Sequence, residues 1–219
     1  MKVLSVNVSQ LVTVAYRGRS VTTGIFKTPV CHRVMVQRMN LEGDRQADLS
    51  VHGGADKAVY IYPSEHYATW AHELGRNDLT FGQFGENLTV EGMLEETVHI
   101  GDTFRVGGAL LEVTQPRVPC YKLGLKMGSA QFPKTFLASH RTGYYVRVLE
   151  EGDVGAGDSI ERIITDPEQM TIRQAVHLAF FEQENVAMLE KVLRIRALSQ
   201  EWRGMFQEQL AEITSGEAH

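Results

Sequence analysis

A mainly β body followed by a small helical tail is what this sequence predicts, and three observations carry that reading. Short β-branched segments with period-two alternation, broken by glycine and proline turns, recur from residue 3 to residue 164. Two of them, at 98–106 and 154–164, share a V-x-x-G-D opening, which suggests a common corner in a barrel-like sheet. At Thr165-Asp166-Pro167 the apolar period changes to that of helices and stays there. The expected domains are a barrel-like β domain over 1–164 and a three-helix domain over 168–219.

Taken in order, residues 3–8 and 11–16 read as strands, Arg17-Gly18-Arg19-Ser20 as a turn, and 20–26 as a returning strand. Residues 34–36 form another short strand, and Gly43 in Leu41-Glu42-Gly43-Asp44 invites a tight turn. In Val51-His52-Gly53-Gly54-Ala55-Asp56-Lys57, paired glycines let successive amides point at one acceptor while Lys57 adds positive charge. Taken alone, a surface turn explains that loop slightly better. A strand over 58–62 leads to a helix over 64–74, whose Tyr67, Trp70, Ala71 and Leu74 make one core-facing stripe. His66 and His72 lie about 240° apart on that helix by its 100° step, so they do not chelate one metal.

A second glycine-rich loop, 81–87, precedes a strand over 88–90; its Glu86 and Asn87 could fix the loop or meet a ligand's polar edge. Residues 103–106 and 109–114 pair through a Gly107-Gly108 turn. A helix over 132–140, a break at Arg141-Thr142-Gly143 and strands over 144–149 and 159–164 complete the body. In the tail, Thr171 and Gln174 form a capping box ahead of a helix over 172–181, with further helices over 185–196 and from Ser199 onward. The stripe Trp202, Met205, Phe206, Leu210, Ile213 must be covered. A bundle of about fifty residues is marginal alone, so it docks on the β body, on a second copy as a homodimer, or on a partner.

Composition bounds the chemistry. The 219 residues are 43% hydrophobic and 22% charged, an ordinary globular balance. A formal charge of −5 with no basic run argues against nucleic acid and anionic membrane as partners, so an anionic ligand would need a local cationic cluster. No apolar run reaches membrane-spanning length and the N-terminus lacks a signal-type apolar region, so a cytoplasmic location is expected. Cys31 and Cys120 are in neither CxxC nor zinc-type spacing and read as reduced thiols.

Thr114-Gln115-Pro116-Arg117-Val118-Pro119-Cys120 concentrates the functional signal. Two prolines fix φ near −65° and remove two backbone donors, giving a stiff loop at a strand end that delivers one thiol. An inert structural cysteine is the common explanation for such a residue. Here Arg117 and Lys122 flank Cys120, and nearby cations favour the thiolate, which is the nucleophile and the metal ligand.

Leu41-Glu42-Gly43-Asp44, His52-Gly53-Gly54, Phe84-Gly85-Glu86-Asn87-Leu88, Ile100-Gly101-Asp102 and Gln115-Pro116-Arg117-x-Pro119-Cys120, in this order, resemble the MOSC domain, named for the C-terminal domain of molybdenum-cofactor sulfurase. The tail resembles the three-helix extension of the family's YiiM-like branch. The resemblance implies a pterin-type molybdenum cofactor with Cys120 as catalytic residue and sulfur ligand to the metal. It points to His52, Gly53, Gly54, Lys57, Asn87 and Arg117 for the cofactor's phosphate and pterin edge, with Arg45 and Lys122 as further candidates. The implied activity is reduction of small N-hydroxylated compounds, including N-hydroxylated purine bases and amidoximes. The chain carries no dinucleotide fingerprint and no haem or iron-sulfur cysteine set, so electrons would come from a separate flavoprotein reductase. Two other readings of Cys120 stay open: a persulfide carrier, and a cofactor carrier without turnover.

Overall fold

The computed structural model describes residues 1–47 and 53–216, and His52 lies outside the described residues. Strands β1 (Lys2–Val8), β2 (Val12–Tyr16), β3 (Arg19–Thr23), β4 (Thr28–Val30) and β5 (Val34–Val36) come first. A 3-10 turn (Ala55–Lys57), β6 (Val59–Pro63), α1 (Glu65–Leu74) and β7 (Leu88–Glu91) follow. Next are β8 (Thr103–Val106), β9 (Ala109–Pro116), α2 (Tyr121–Met127), α3 (Phe132–Ala138) and β10 (Tyr144–Glu150). The chain ends with β11 (Gly152–Val154), β12 (Ile160–Ile164), α4 (Ile172–Phe180), α5 (Val186–Arg194) and α6 (Gln200–Ser215).

The fold is mixed α/β, built on one large sheet. Eight strands run in the order β12-β8-β9-β10-β6-β7-β1-β4, with β2-β3 and β11-β5 as separate two-stranded ribbons. The β6–β7 pair is parallel, as its crossover through α1 requires, and the other pairs are antiparallel. The expected barrel is not closed by a continuous ladder. One isolated bridge, Lys2 to Ser159, with bonds from Val3 N to Asp158 O at 2.9 Å and Ile160 N to Met1 O at 3.0 Å, joins the start of β12 to the start of β1. Beyond that point β1 turns its edge to β4 instead, because Val6 pairs with Val30.

Three differences from the sequence reading have local causes. The segment expected as strand to residue 26 leaves its ladder after Thr23, because Gly24 packs on the Arg45 carbonyl so closely that a Cβ would lie 2.0 Å from that oxygen. The strand delivering the cysteine loop runs on through Pro116, which stands opposite Tyr144 at the last rung. Helix α2 was not anticipated: Gly124 sits at its middle and lowers its propensity, and its seven residues are too few to show a stripe.

β6 is buried on both faces and divides the core. Val59 and Ile61 join the large cluster beneath the sheet, while Tyr60 and Tyr62 join Tyr67, Trp70, Phe84, Leu123, Phe132 and Phe136 in an aromatic cluster on the other side. The helical tail packs on the sheet itself. Ile172, Ala175 and Leu178 of α4 and Trp202 and Phe206 of α6 belong to the same contiguous core as Val113 and Val146. Full burial of such a side chain contributes about 1.5–3 kcal/mol. Polar ties fix the docking: Ser199 N donates to Thr114 O at 3.2 Å and Arg147 Nη2 to Ala197 O at 2.8 Å. The expected capping box is present, with Thr171 and Gln174 bonded reciprocally. Among the described residues no helix is long and apolar enough to cross a membrane.

Candidate functional site

The loop after β9 is held by its neighbour strand. Arg117 N donates to Gly143 O at 3.1 Å, and Gly143, at φ 65°, lies so close to β6 that a Cβ would stand 2.5 Å from Ile61 O. Only glycine meets both conditions. Arg117 is 5% exposed, with its guanidinium carbon 5.2 Å from the Tyr60 ring centre and 5.4 Å from that of Phe136. The Tyr145 phenol lies beside it. Its Nη1 is buried without a hydrogen-bond partner, and among the described residues no carboxylate pairs with it. A guanidinium does not deprotonate, so among the described residues this is a buried charge that no carboxylate answers.

Beyond Arg117 opens a cavity of about 80 Å³. Cys120, half-buried at the N-cap of α2, lines it together with Arg45, Lys122 and Tyr145. The base of the β2–β3 ribbon and the 45–47 segment form the facing wall, clamped together by the Gly24 contact. Lys27 also lines it, but its charge is answered: Nζ lies 2.5 Å from both Asp44 carboxylate oxygens. Burial lowers the Lys27 pKa from its ordinary value, with Asp44 opposing. Behind this wall Lys126 donates to Ile25 O at 2.9 Å and Gly82 O at 2.6 Å, and burial brings its pKa down to about 8. Arg45, Arg117 and Lys122 have no carboxylate partner among the described residues, so the described walls of the cavity carry excess positive charge inside a net acidic protein.

The glycine-rich loop before β7 is fixed by its own side chains. Glu86, fully buried, accepts from Gly82 N at 2.8 Å, Phe84 N at 3.0 Å and Thr89 Oγ1 at 2.9 Å, and also from the Tyr67 hydroxyl. Asn87 accepts from Tyr60 N at 3.1 Å and donates to Asp44 at 2.9 Å and to Asn7 O at 3.5 Å. Sequence left open whether this pair fixes the loop or meets a ligand; both side chains spend their hydrogen bonds on the protein. Asp44, also accepting from Ser9 N at 2.9 Å, ties the turn, Lys27 and Asn87 into one unit.

Of the residues singled out in the sequence, Cys120, Arg117, Asn87, Arg45 and Lys122 meet at this cavity. Gly53, Gly54 and Lys57 do not line it. They border a separate depression with Gln115 and Ser199, where Lys57 pairs with Glu201. His66 turns inward to bond Glu95 at 2.6 Å, whereas His72 is exposed. Sequence reading missed Lys27, Tyr60 and Tyr145 at the cavity. Tyr60 and Tyr145 stand opposite each other across β6 and β10, with rings 5.3 Å apart. Only the strand pairing, not the spacing, brings them together. Neither cysteine is in a disulfide. Among the described residues no three His, Cys, Asp or Glu side chains converge as a metal cage.

Residues 48–161 match the MOSC domain and residues 170–212 the YiiM-like, 3-alpha helix domain. The chain is 43% identical over 204 residues to the uncharacterized protein YflK of Bacillus subtilis, covering 93% of this chain and 92% of that one. It superposes on the crystal structure of YiiM from Geobacillus stearothermophilus with a TM-score of 0.81 at 35% identity, covering 95% and 98% of the two chains. A Gibberella moniliformis protein named a reductase is 36% identical over 146 residues, which is 65% of this chain and 26% of that longer one.

Proposed function

Because this chain belongs to the MOSC domain family, in the branch that carries the YiiM-like three-helix domain, we propose that it is a molybdenum-cofactor-dependent reductase of small N-hydroxylated compounds. The observation that carries the reading is the buried Arg117 guanidinium beside Cys120, with Nη1 unpartnered and no carboxylate facing it among the described residues, in a cavity whose described walls are rich in cations. A charge left unpaired in a protein interior is costly unless a ligand answers it, and an anionic group does so. A soft thiolate at the same wall suits a soft metal. With no cage of protein donors around Cys120 among the described residues, such a metal would bring its other ligands with it, as a cofactor does.

In this reading Cys120 Sγ is the protein's ligand to the metal. Arg117 Nη1, with Arg45 and Lys122, grips the anionic part by charge-assisted bonds. When bound, the cofactor supplies the two-electron removal of oxygen that turns an N-hydroxylated compound into its amine or amidine. Asn87 and Asp44 act behind the wall, holding Lys27 and the glycine loop in place. Tyr60 and Phe136 keep the Arg117 plane fixed and exclude water from it. Electrons are supplied by an external donor, for which a flavoprotein reductase is the proposed class.

Molybdenum and pterin content of protein from a molybdate-fed host tests the reading, with turnover of an N-hydroxylated base by an artificial reductant as second arm. Cys120→Ser is expected to lose molybdenum and activity together. Wild-type protein without molybdenum, or full activity in the serine variant, would sink the reading. Bound cofactor with no turnover would favour a carrier instead.

A further inference from the structure

Two large apolar side chains flanking Cys120 are exposed. Tyr121 follows the cysteine directly, opens α2 and is 51% exposed; Val118 in the same loop is 43% exposed. Among the described residues the one ring against Tyr121 is Tyr16, at the end of β2, with centroids 6.1 Å apart and planes inclined by 26°. The Arg17 guanidinium lies 5.4 Å from the outer Tyr16 ring centre.

Tyr16 sits on a ribbon outside the large sheet. Among the described residues β2 and β3 pair only with each other, their residues are mostly exposed, and the turn between them holds Arg17 at φ 50° and Gly18 at φ 76°. A two-stranded ribbon is marginal by itself, so its distance from α2 is soft. Its base, at Thr23 and Ile25, lines the same cavity as Cys120. A flat ring inserted between two others needs about 7 Å, twice the ~3.4 Å stacking rise of nucleic-acid bases. The two tyrosine rings are already stacked on each other, so a third ring enters only where the ribbon swings away from α2. Such a swing would open a slot for one heteroaromatic ring, with one wall on the residue that follows Cys120 in the chain.

We infer that Tyr16 and Tyr121 form a stacking clamp for the planar heteroaromatic part of the substrate. The inference deepens the reductase reading above and rests on it for the identity of the substrate. It selects N-hydroxylated bases over N-hydroxylated compounds without a ring, because stacking contributes affinity for any flat π system and none for an aliphatic one.

Calorimetric titration of purified protein with N6-hydroxyadenine and with acetamidoxime tests it, using wild type, Tyr121→Ala, Tyr121→Phe and Tyr16→Ala. Either alanine variant is expected to bind the base about tenfold more weakly, the scale of losing one stacking ring. Tyr121→Phe should restore binding, and the loss should be larger for the base than for acetamidoxime. In turnover the same variants should raise KM for the base more than they lower kcat. Undetectable binding of the base by wild type, equal binding by Tyr121→Ala, or equal loss for both ligands overturns the clamp. Loss confined to turnover driven by a reductase protein, with base affinity intact, also overturns it and reassigns the pair to partner docking. Tyr121-dependent binding without turnover of any N-hydroxylated compound would instead sink the reductase reading and leave the clamp standing.

Discussion

Replacing Asp44 by asparagine keeps the side chain's size and removes the charge that faces Lys27. The carboxylate accepts from Lys27 Nζ on both oxygens at 2.5 Å, from Ser9 N at 2.9 Å and from Asn87 Nδ2 at 2.9 Å. An amide offers one acceptor oxygen and turns an NH2 group toward either the ammonium or the Asn87 amide. The two side chains are 8% and 1% exposed, so solvent does not screen the loss. Removing one partner of a buried pair costs about 3–5 kcal/mol. For a chain of this size that lowers Tm by roughly 6–20 °C. The sign with pH follows from Lys27. Burial, opposed by Asp44, already holds its pKa below the ordinary 10.5, and losing Asp44 lowers it further. A lysine whose folded pKa is depressed binds fewer protons when folded, so stability rises with pH between the folded and unfolded values. The deficit of Asp44→Asn should therefore shrink as pH is raised from neutral toward 10.5. Adding Lys27→Met removes the stranded ammonium and should recover most of the loss. Thermal unfolding followed by circular dichroism across that pH range is the assay. A loss below about 1 kcal/mol, the size of a surface pair, would refute the reasoning. So would a double variant no more stable than Asp44→Asn alone.

Arg117→Met is expected to leave Tm unchanged or raise it, since replacing a buried charge that no carboxylate of the described residues answers by an apolar side chain of similar length is neutral or stabilising. The same variant should purify with much less molybdenum; a fall in Tm by several degrees with full metal content would contradict both halves. Gly143→Ala places a Cβ 2.5 Å from Ile61 O and 2.8 Å from Tyr60 Cε2 at a positive φ. The expected cost is about 2–5 kcal/mol, read as a lower denaturant midpoint with unchanged slope.

What could be read from the sequence was whatever lies close along the chain. The alternation of Val59, Tyr60, Ile61 and Tyr62 announced a strand, and the stripe of Tyr67, Trp70 and Leu74 announced α1. The cysteine loop was visible because Pro116, Arg117, Pro119 and Cys120 stand within five residues. What stayed hidden depends on pairing at long range. Lys27 lies in an unremarkable stretch and becomes a cavity wall only through Asp44, 17 residues on. Tyr145 reaches Arg117 because β9 and β10 align Gln115 with Tyr145, a register no local pattern encodes. The glycines at 53–54 suit an anion by type, and only the fold shows that they border a depression away from Cys120, where Glu201 of α6 pairs with Lys57.

The bridge from Lys2 to Ser159 also sets a timetable for synthesis. The second residue of the chain meets a partner made more than 150 residues later, and Val3 and Met1 likewise wait for Asp158 and Ile160. At a ribosomal rate of about 5–20 residues per second, that half of the β1 edge stays bare for roughly 8 to 30 s. An unpaired edge of this kind is a template for other chains, so expression at lower temperature or with a chaperone that covers nascent strands should raise the soluble yield.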